Sequence, residues 1–290
     1  MLRRSIALAD KLGLGKRPRL RLFLKHAYCV AIDPFGRGRR MRLDAGVTVR
    51  VPTFFATAAW TNYEEHGMRA CSEWLSGHPD GVLADVGCSI AIYSLMALQV
   101  SPRARVIAFD ADNISLKTSA EFCRFSDLSR LSLVHGFLTE THTSGSTLDQ
   151  AVADTRKALS APGLSAEPTA VRFLCLDRPL PDEVIPRHSL DGLLLGAVSP
   201  GTPMLIKVDV EGAELLVLRG ASKLLLMHKP TLLLSVHPQF LPSFEQSKED
   251  VARFLGDHGY RWTLLSTDHE EHWWCEPIVA GFGQSKAIQS

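Results

Sequence analysis

No window of 18 consecutive apolar residues occurs in the 290-residue sequence, which excludes an ordinary transmembrane helix. Near the start, the apolar stretch from Ile6 to Ala9 stops at Asp10 and Lys11, too short for the core of a signal peptide. The six cysteines (Cys29, Cys71, Cys88, Cys123, Cys175 and Cys275) never form a C-x-x-C pair, so zinc-ribbon and redox-dithiol readings lack support. Scattered reduced thiols suit an intracellular chain, and the expected compartment is the cytoplasm. Hydrophobic residues at 46% and charged residues at 22% are ordinary soluble usage, which excludes a disordered chain or a fibre.

The charge is unevenly spread. Residues 1–50 hold 13 Lys and Arg against 3 Asp and Glu, and the other 240 residues hold 19 against 28. A basic leading segment can touch a phosphate-rich partner or, weakly, an anionic membrane surface. Leu2, Ile6, Ala9 and Leu12 recur at roughly helical spacing, as in an interfacial helix. The alternative is a solvated basic arm that packs one face on its own domain.

Arg21–Ile32 and Met41–Val51 read as two β-rich runs joined by the turn residues Asp33 to Gly38, a hairpin ahead of the main domain. The spacing of Met68, Cys71, Trp74 and Leu75 predicts a helix within 60–76. Strands then alternate with helices. Strands are expected at 81–86, 105–109, 131–134, 171–176, 204–210 and 231–236, with a closing pair at 260–265 and 272–275. Helices are expected at 90–100, 116–125, 148–159, from Ala213 onward and at 247–256. This alternation predicts an α/β fold, a doubly wound, mostly parallel Rossmann-like sheet with an N-terminal hairpin extension. The expected organisation is a basic arm and hairpin over 1–59, the main domain over 60–280 and a disordered tail over 281–290.

In such sheets ligands sit beyond the carboxyl ends of the strands, so the informative residues follow each strand. A dinucleotide fold wants G-x-G-x-x-G after its first strand, but the stretch Asp85-Val-Gly87-Cys-Ser89-Ile-Ala91 has Gly87 alone. No pyrophosphate cradle follows from it, whereas a nucleoside without phosphates would tolerate the turn. Asp110 lies at the end of the second strand, where a carboxylate can accept both ribose hydroxyls. A generic α/β turn with a capping Asp would also explain these residues.

The stretch Lys207-Val-Asp209-Val-Glu211-Gly212-Ala-Glu214, followed by Leu218-Arg-Gly220-Ala221, resembles the hallmark of FkbM-type S-adenosylmethionine-dependent methyltransferases. Asp85-Val-Gly87 resembles that family's cofactor turn, Ala108-Phe-Asp110 its acidic strand end, and Leu176-Asp177 an L-D pair ahead of the hallmark. Pro230 to His237 resembles the strand and histidine that follow, so the likeness runs from about Trp60 to Pro277. The resemblance implies the class I methyltransferase fold, with S-adenosylmethionine as cofactor at Asp85, Gly87, Ser89, Asp110 and Glu64. It also implies methyl transfer to a hydroxyl of a glycan or glycosylated small metabolite, resting on His237, Asp209, Glu211 and Lys207. Three positions depart from the pattern. Ala91 replaces a second glycine, Asp110 a glutamate, and Ser235 a glutamate of the fifth strand.

On physical grounds Asp209 ends a buried strand at the crevice, a placement that favours a shifted pKa. Lys207 lies two residues earlier and shares its face, so the two can also be a structural salt bridge. Glu211 and Glu214, three apart at a helix start, are favoured by the helix dipole. His237 is the expected general base because an ordinary imidazole titrates near operating pH, with Glu211 as the alternative. Trp273 and Trp274 are candidates to stack on a sugar face, or else core packing. Asp209, Glu211 and Asp177 could gather a hard cation, but the spacing does not demand one, and no metal is expected. No nucleic acid is expected either, because the N/D-P-P-Y/F signature of amino-group methylation is absent and a carboxylate-rich mouth repels phosphates. The competing non-enzymatic reading is a degenerate methyltransferase fold serving as an interaction module.

Overall fold

The computed structural model describes residues 18–43, 45–57, 64–142, 145–164 and 185–278. The helical spacing at residues 2–12, the expected strand 171–176 with Asp177, and the tail from Gly281 lie outside them. No described helix is long and apolar enough to cross a membrane.

Helix α1 (Pro18–Ile32) opens the described chain, and the hairpin of β1 (Arg39–Arg42) and β2 (Thr48–Val51) follows. The hairpin expected from residue 21 therefore starts at Arg39, and its first predicted run is helical. Arg, Leu, Lys and Ala dominate that run and are strong helix formers, while Pro18 suits a first helical position. The alternation of Arg and Leu imitated a strand.

Next come α2 (Glu65–Gly77), β3 (Val82–Val86), α3 (Ile92–Val100), β4 (Arg105–Asp110), α4 (Asn113–Phe122) and β5 (Leu131–His135). Past a short parallel pair, β6 (Phe137–Leu138) with β7 (Arg187–His188), α5 (Leu148–Leu159) occupies the span where a surface helix was expected. The chain continues through α6 (Leu190–Leu194), β8 (Met204–Val208), α7 (Glu214–Arg219), α8 (Ser222–His228), β9 (Thr231–Val236), α9 (Lys248–Asp257), β10 (Tyr260–Thr267) and β11 (Glu271–Pro277).

Seven strands form one sheet in the order β10-β11-β9-β8-β3-β4-β5. All neighbours from β9 to β5 are parallel, and β11 runs antiparallel between β9 and β10. Strand alternation divides the core. Val82, Ala84, Val86, Ile206, Val208, Leu232 and Leu234 face one side, packed against α6 to α9, whereas Leu83, Val106, Ala108, Leu205 and Leu233 face α2, α3 and α4. Val49 and Val51 of the hairpin are buried in that second core with Leu95 and Met96. The chain lays β3, β4 and β5 outward, then returns to place β8 beside β3. The strand order reverses there, at the switch where doubly wound sheets form their ligand crevice beyond the carboxyl ends.

Candidate active site

The first wall of the crevice is the turn between β3 and α3. Gly87 has φ of 73°, and a Cβ there would lie 1.7 Å from the Asp209 carbonyl oxygen, so the turn lies directly on the end of β8. Gly87 and Cys88 donate their N–H groups to Phe109 O at 3.0 and 2.9 Å. Asp110 ties this turn to β4, accepting from Ser89 N through Oδ2 and from Asp112 N through Oδ1, both at 2.8 Å. Burial dominates and pushes its pKa up to about 7 despite those bonds. Ser89 and Ala91 have φ of 50° and 60°, in the left-handed region that favours glycine, so Ala91 carries strain where the family pattern has glycine.

Asp85 is fully buried at the base of this wall. Its Oδ2 accepts from Ser94 N at 3.1 Å and Ser94 Oγ at 2.6 Å, while its Oδ1 has no hydrogen bond. Asp85 and Lys207 are register partners on neighbouring parallel strands and so share a face. Burial raises the Asp85 pKa, and Lys207 offsets part of that rise.

The opposite wall lies beyond β8 and β9. Asp209 N donates to Val86 O at 3.0 Å, extending the ladder past the strand. Lys207 Nζ, buried 4.9 Å from the centre of the Tyr93 ring, pairs with Asp209 Oδ2 at 3.0 Å, so the Lys–Asp pair open to the sequence is formed. Burial works to raise the Asp209 pKa, but Lys207 and His237 outweigh it and hold the group below its ordinary value. Gly212 has φ of 102°, and a Cβ there would lie 2.8 Å from Phe240 backbone, which explains a glycine between strand and helix.

His237 is wholly buried among carboxylates. Its Nδ1 lies 2.7 Å from Glu214 Oε1, and Glu214 also accepts from Gly212 N through that oxygen at 2.9 Å. Nε2 lies 2.5 Å from Glu270 Oε2, off the direction of a regular hydrogen bond, with Glu211 Oε2 at 3.5 Å and Asp209 Oδ1 at 3.7 Å. Burial opposes the charged ring, yet the hydrogen-bonded Glu214, the close Glu270 carboxylate and the surrounding negative charge raise its pKa to about 11. Carboxylates stand beside both ring nitrogens of His237, which is fully buried, so the ring meets the expected acceptor position only by way of these neighbours. Glu211 is the most exposed member of the group, with its side chain 27% exposed against 18% for Asp209. Burial, reinforced by its carboxylate neighbours and offset by His237, raises its pKa.

Glu64, read from the sequence as a cofactor contact, has its own set of neighbours. It is buried at the start of α2, accepts from Tyr93 Oη at 2.8 Å, and groups with Glu270 and His272. Ser235 bonds His272 Nδ1 at 3.3 Å, giving that departure a local role. Trp273 is core, stacked on Trp262 with centroids 4.0 Å apart. Glu270, His272 and Tyr93 escaped the sequence reading. Glu270 lies in the turn between β10 and β11 and His272 at the start of β11, where no local spacing signals that the sheet folds them beside His237 and Glu64.

A doubly wound, mostly parallel sheet with carboxylates gathered at its switch point defines an α/β protein of the class that binds ligands there. The family description Methyltransferase FkbM domain matches residues 84–262, more than half of the chain, which belongs to this family of S-adenosylmethionine-dependent methyltransferases. No curated protein matches the chain. Among solved structures it is similar to the methyltransferase FkbM from Methylobacillus flagellatus KT, at 18% identity and TM-score 0.46 over 68% of this chain and 44% of that one. It thus spans less than half the length of that protein. A precorrin-6y C5,15-methyltransferase from Geobacter metallireducens GS-15 is 12% identical, TM-score 0.43, over 76% of this chain and 93% of that one. A SAM dependent methyltransferase from Aquifex aeolicus is 12% identical, TM-score 0.41, over 73% and 89%.

S-Adenosylmethionine is the family's cofactor, and the first wall fits it. Each Asp110 oxygen accepts one backbone N–H and keeps a further lone pair for a ribose hydroxyl. The buried, unbonded Asp85 Oδ1 is an acceptor suited to the cofactor's ammonium group.

Proposed function

We propose that this chain methylates a hydroxyl group of a glycan or glycosylated small metabolite. The observation that supports this reading is the pairing of a nucleoside-type wall at Asp85, Gly87, Ser89 and Asp110 with a carboxylate wall at Asp209 and Glu211 across one crevice. S-Adenosylmethionine supplies an electrophilic methyl group on sulfur, so the protein's share is positioning and removal of the hydroxyl proton. Glu211 is the proton acceptor, because it is the most exposed carboxylate of the acidic wall and its raised pKa strengthens it as a base. Lys207 holds one oxygen of Asp209, leaving the other to orient the hydroxyl. His237, fixed by Glu214, positions both carboxylates from behind. A polyol acceptor suits such a mouth, since hydroxyls donate to carboxylates.

The test is radiolabelled methyl transfer from S-adenosylmethionine to a panel of hydroxylated glycans. Glu211→Gln is expected to lose turnover while binding the cofactor with unchanged affinity. Full turnover in both Glu211→Gln and His237→Ala would remove the assignment, and an absence of cofactor binding by the intact chain would favour the non-enzymatic module.

A further inference from the structure

His237 is wholly buried, and its two nitrogens are differently placed. Nδ1 is committed to Glu214, itself 0% exposed, at 2.7 Å. Nε2 makes no regular hydrogen bond, and Glu270 Oε2, Glu211 Oε2 and Asp209 Oδ1 stand 2.5, 3.5 and 3.7 Å from it, so a cation bound there would replace the proton that the ring carries on that nitrogen. A buried nitrogen that three carboxylate oxygens approach without a regular hydrogen bond is a candidate cation ligand.

The spacing suits a cation. One oxygen of Asp209, one of Glu211 and a nitrogen of His237 all lie within 4.8 Å of one another. A hard divalent ion holds its ligands at about 2.0–2.6 Å, which puts neighbouring ligands about 3 Å apart and opposite ones about 4–5 Å apart. The 3.5 and 3.7 Å separations from Nε2 therefore need only a small contraction around an ion. Lys207 already neutralises Asp209 Oδ2, so Oδ1 is the oxygen left for a metal. Glu270, whose Oε2 stands 2.5 Å from Nε2, brings a third carboxylate to the same nitrogen. Glu64, Asp209, Glu211, Glu214 and Glu270 thus converge on a small volume, an accumulation of negative charge that a dication would relieve.

We propose that Asp209, Glu211 and His237 bind a divalent cation of the Mg²⁺ or Mn²⁺ type. Two carboxylates outnumber one imidazole, which favours such oxygen-seeking ions over those that prefer thiolate. Glu214 is a positioning residue, holding the ring so that Nε2 meets the ion, as carboxylates behind metal-bound histidines commonly do. Asp209 and Glu211 are partly exposed, so the ion keeps open positions toward the crevice. If the hydroxyl-methylation reading holds, on which this last step rests, the acceptor oxygen would occupy one of them, Asp209 Oδ1 then orienting it through the ion and the second oxygen of Glu211 staying free to take its proton.

Manganese(II) itself is the probe, titrated into the full chain while the free ion is followed by electron paramagnetic resonance. One Mn²⁺ per chain is expected, displaced by Mg²⁺ and accompanied by a higher melting temperature. Glu214→Gln should weaken binding by about 10- to 100-fold. Glu211→Gln, at the most exposed position, should weaken it as much while the circular-dichroism spectrum stays that of a folded chain. No binding by folded wild type, or undiminished binding in Glu211→Gln and Asp209→Asn alike, overturns the site. Calorimetry with S-adenosylmethionine in the presence of EDTA reports the other wall separately. Cofactor binding without Mn²⁺ binding defeats the cation site alone, and Mn²⁺ binding without cofactor binding supports the site while removing the methyltransfer reading.

Discussion

The two walls of the crevice are built differently. Beyond β3 and β4 the contacts are mostly local: Asp110 bonds the backbone of Asp112 and Ser89, Asp112 caps its own helix, and the turn's N–H groups go to Phe109. Beyond β8 and β9 the contacts are long-range and charged. His237 meets Glu211 and Glu214 from the preceding strand–helix junction and Glu270 from the turn between β10 and β11. A wall made of backbone hydrogen bonds is rigid and nearly neutral. One made of buried charges depends on every partner, because removing a single member strands the rest in low dielectric.

Changes at the junction of the walls should break this contrast most severely. Gly87→Ala drives a Cβ into the Asp209 carbonyl and should cost more than about 4 kcal/mol of stability, damaging both walls together. Chemical denaturation measures it. Glu214→Ala leaves the buried His237 charge without its closest regular partner, and a loss of about 3–5 kcal/mol is expected by the same measurement. On the catalytic side, Glu211→Gln should lower turnover by about 10²- to 10⁴-fold, the usual worth of a proton acceptor, with little loss of stability.

The cofactor wall should respond more gently. Asp110→Ala should lose about 1–3 kcal/mol of S-adenosylmethionine affinity by calorimetry and leave the acidic wall intact. Asp110 also gives the wall a pH dependence. Its folded pKa of about 7 lies above the ordinary 3.8, so the stability linked to its protonated form is present at low pH and is lost as pH rises through about 7. The ribose hydroxyls prefer the ionised form, so affinity should rise between about pH 6 and pH 8 and flatten in Asp110→Asn. The smallest effect is a gain. Ala91→Gly should relieve left-handed strain worth about 1 kcal/mol, read as a modest rise in melting temperature.

Legibility followed the same division. The turn at Asp85 to Ala91, the strand end at Asp110 and the stretch Lys207 to Glu214 are contiguous, and their chemistry was visible in order and spacing. The strand alternation was equally readable, because each buried parallel strand is a short apolar run between turn residues. The helix at Pro18–Ile32 is hidden in the sequence because alternating Arg and Leu satisfies a period of two without a sheet to receive it. Glu270 and His272 were invisible for another reason: they gain meaning only when β11 is laid antiparallel against β9, setting His272 opposite Ser235.

The sequence alone therefore determined the order of strands and helices, the family hallmark and the residues that flank the crevice, since all of these are carried by neighbours along the chain. The protonation and partners of His237 were decided only in three dimensions. A histidine's pKa is set by the charges around it and by its exclusion from water, and here the carboxylates that surround it come from separate segments of the chain.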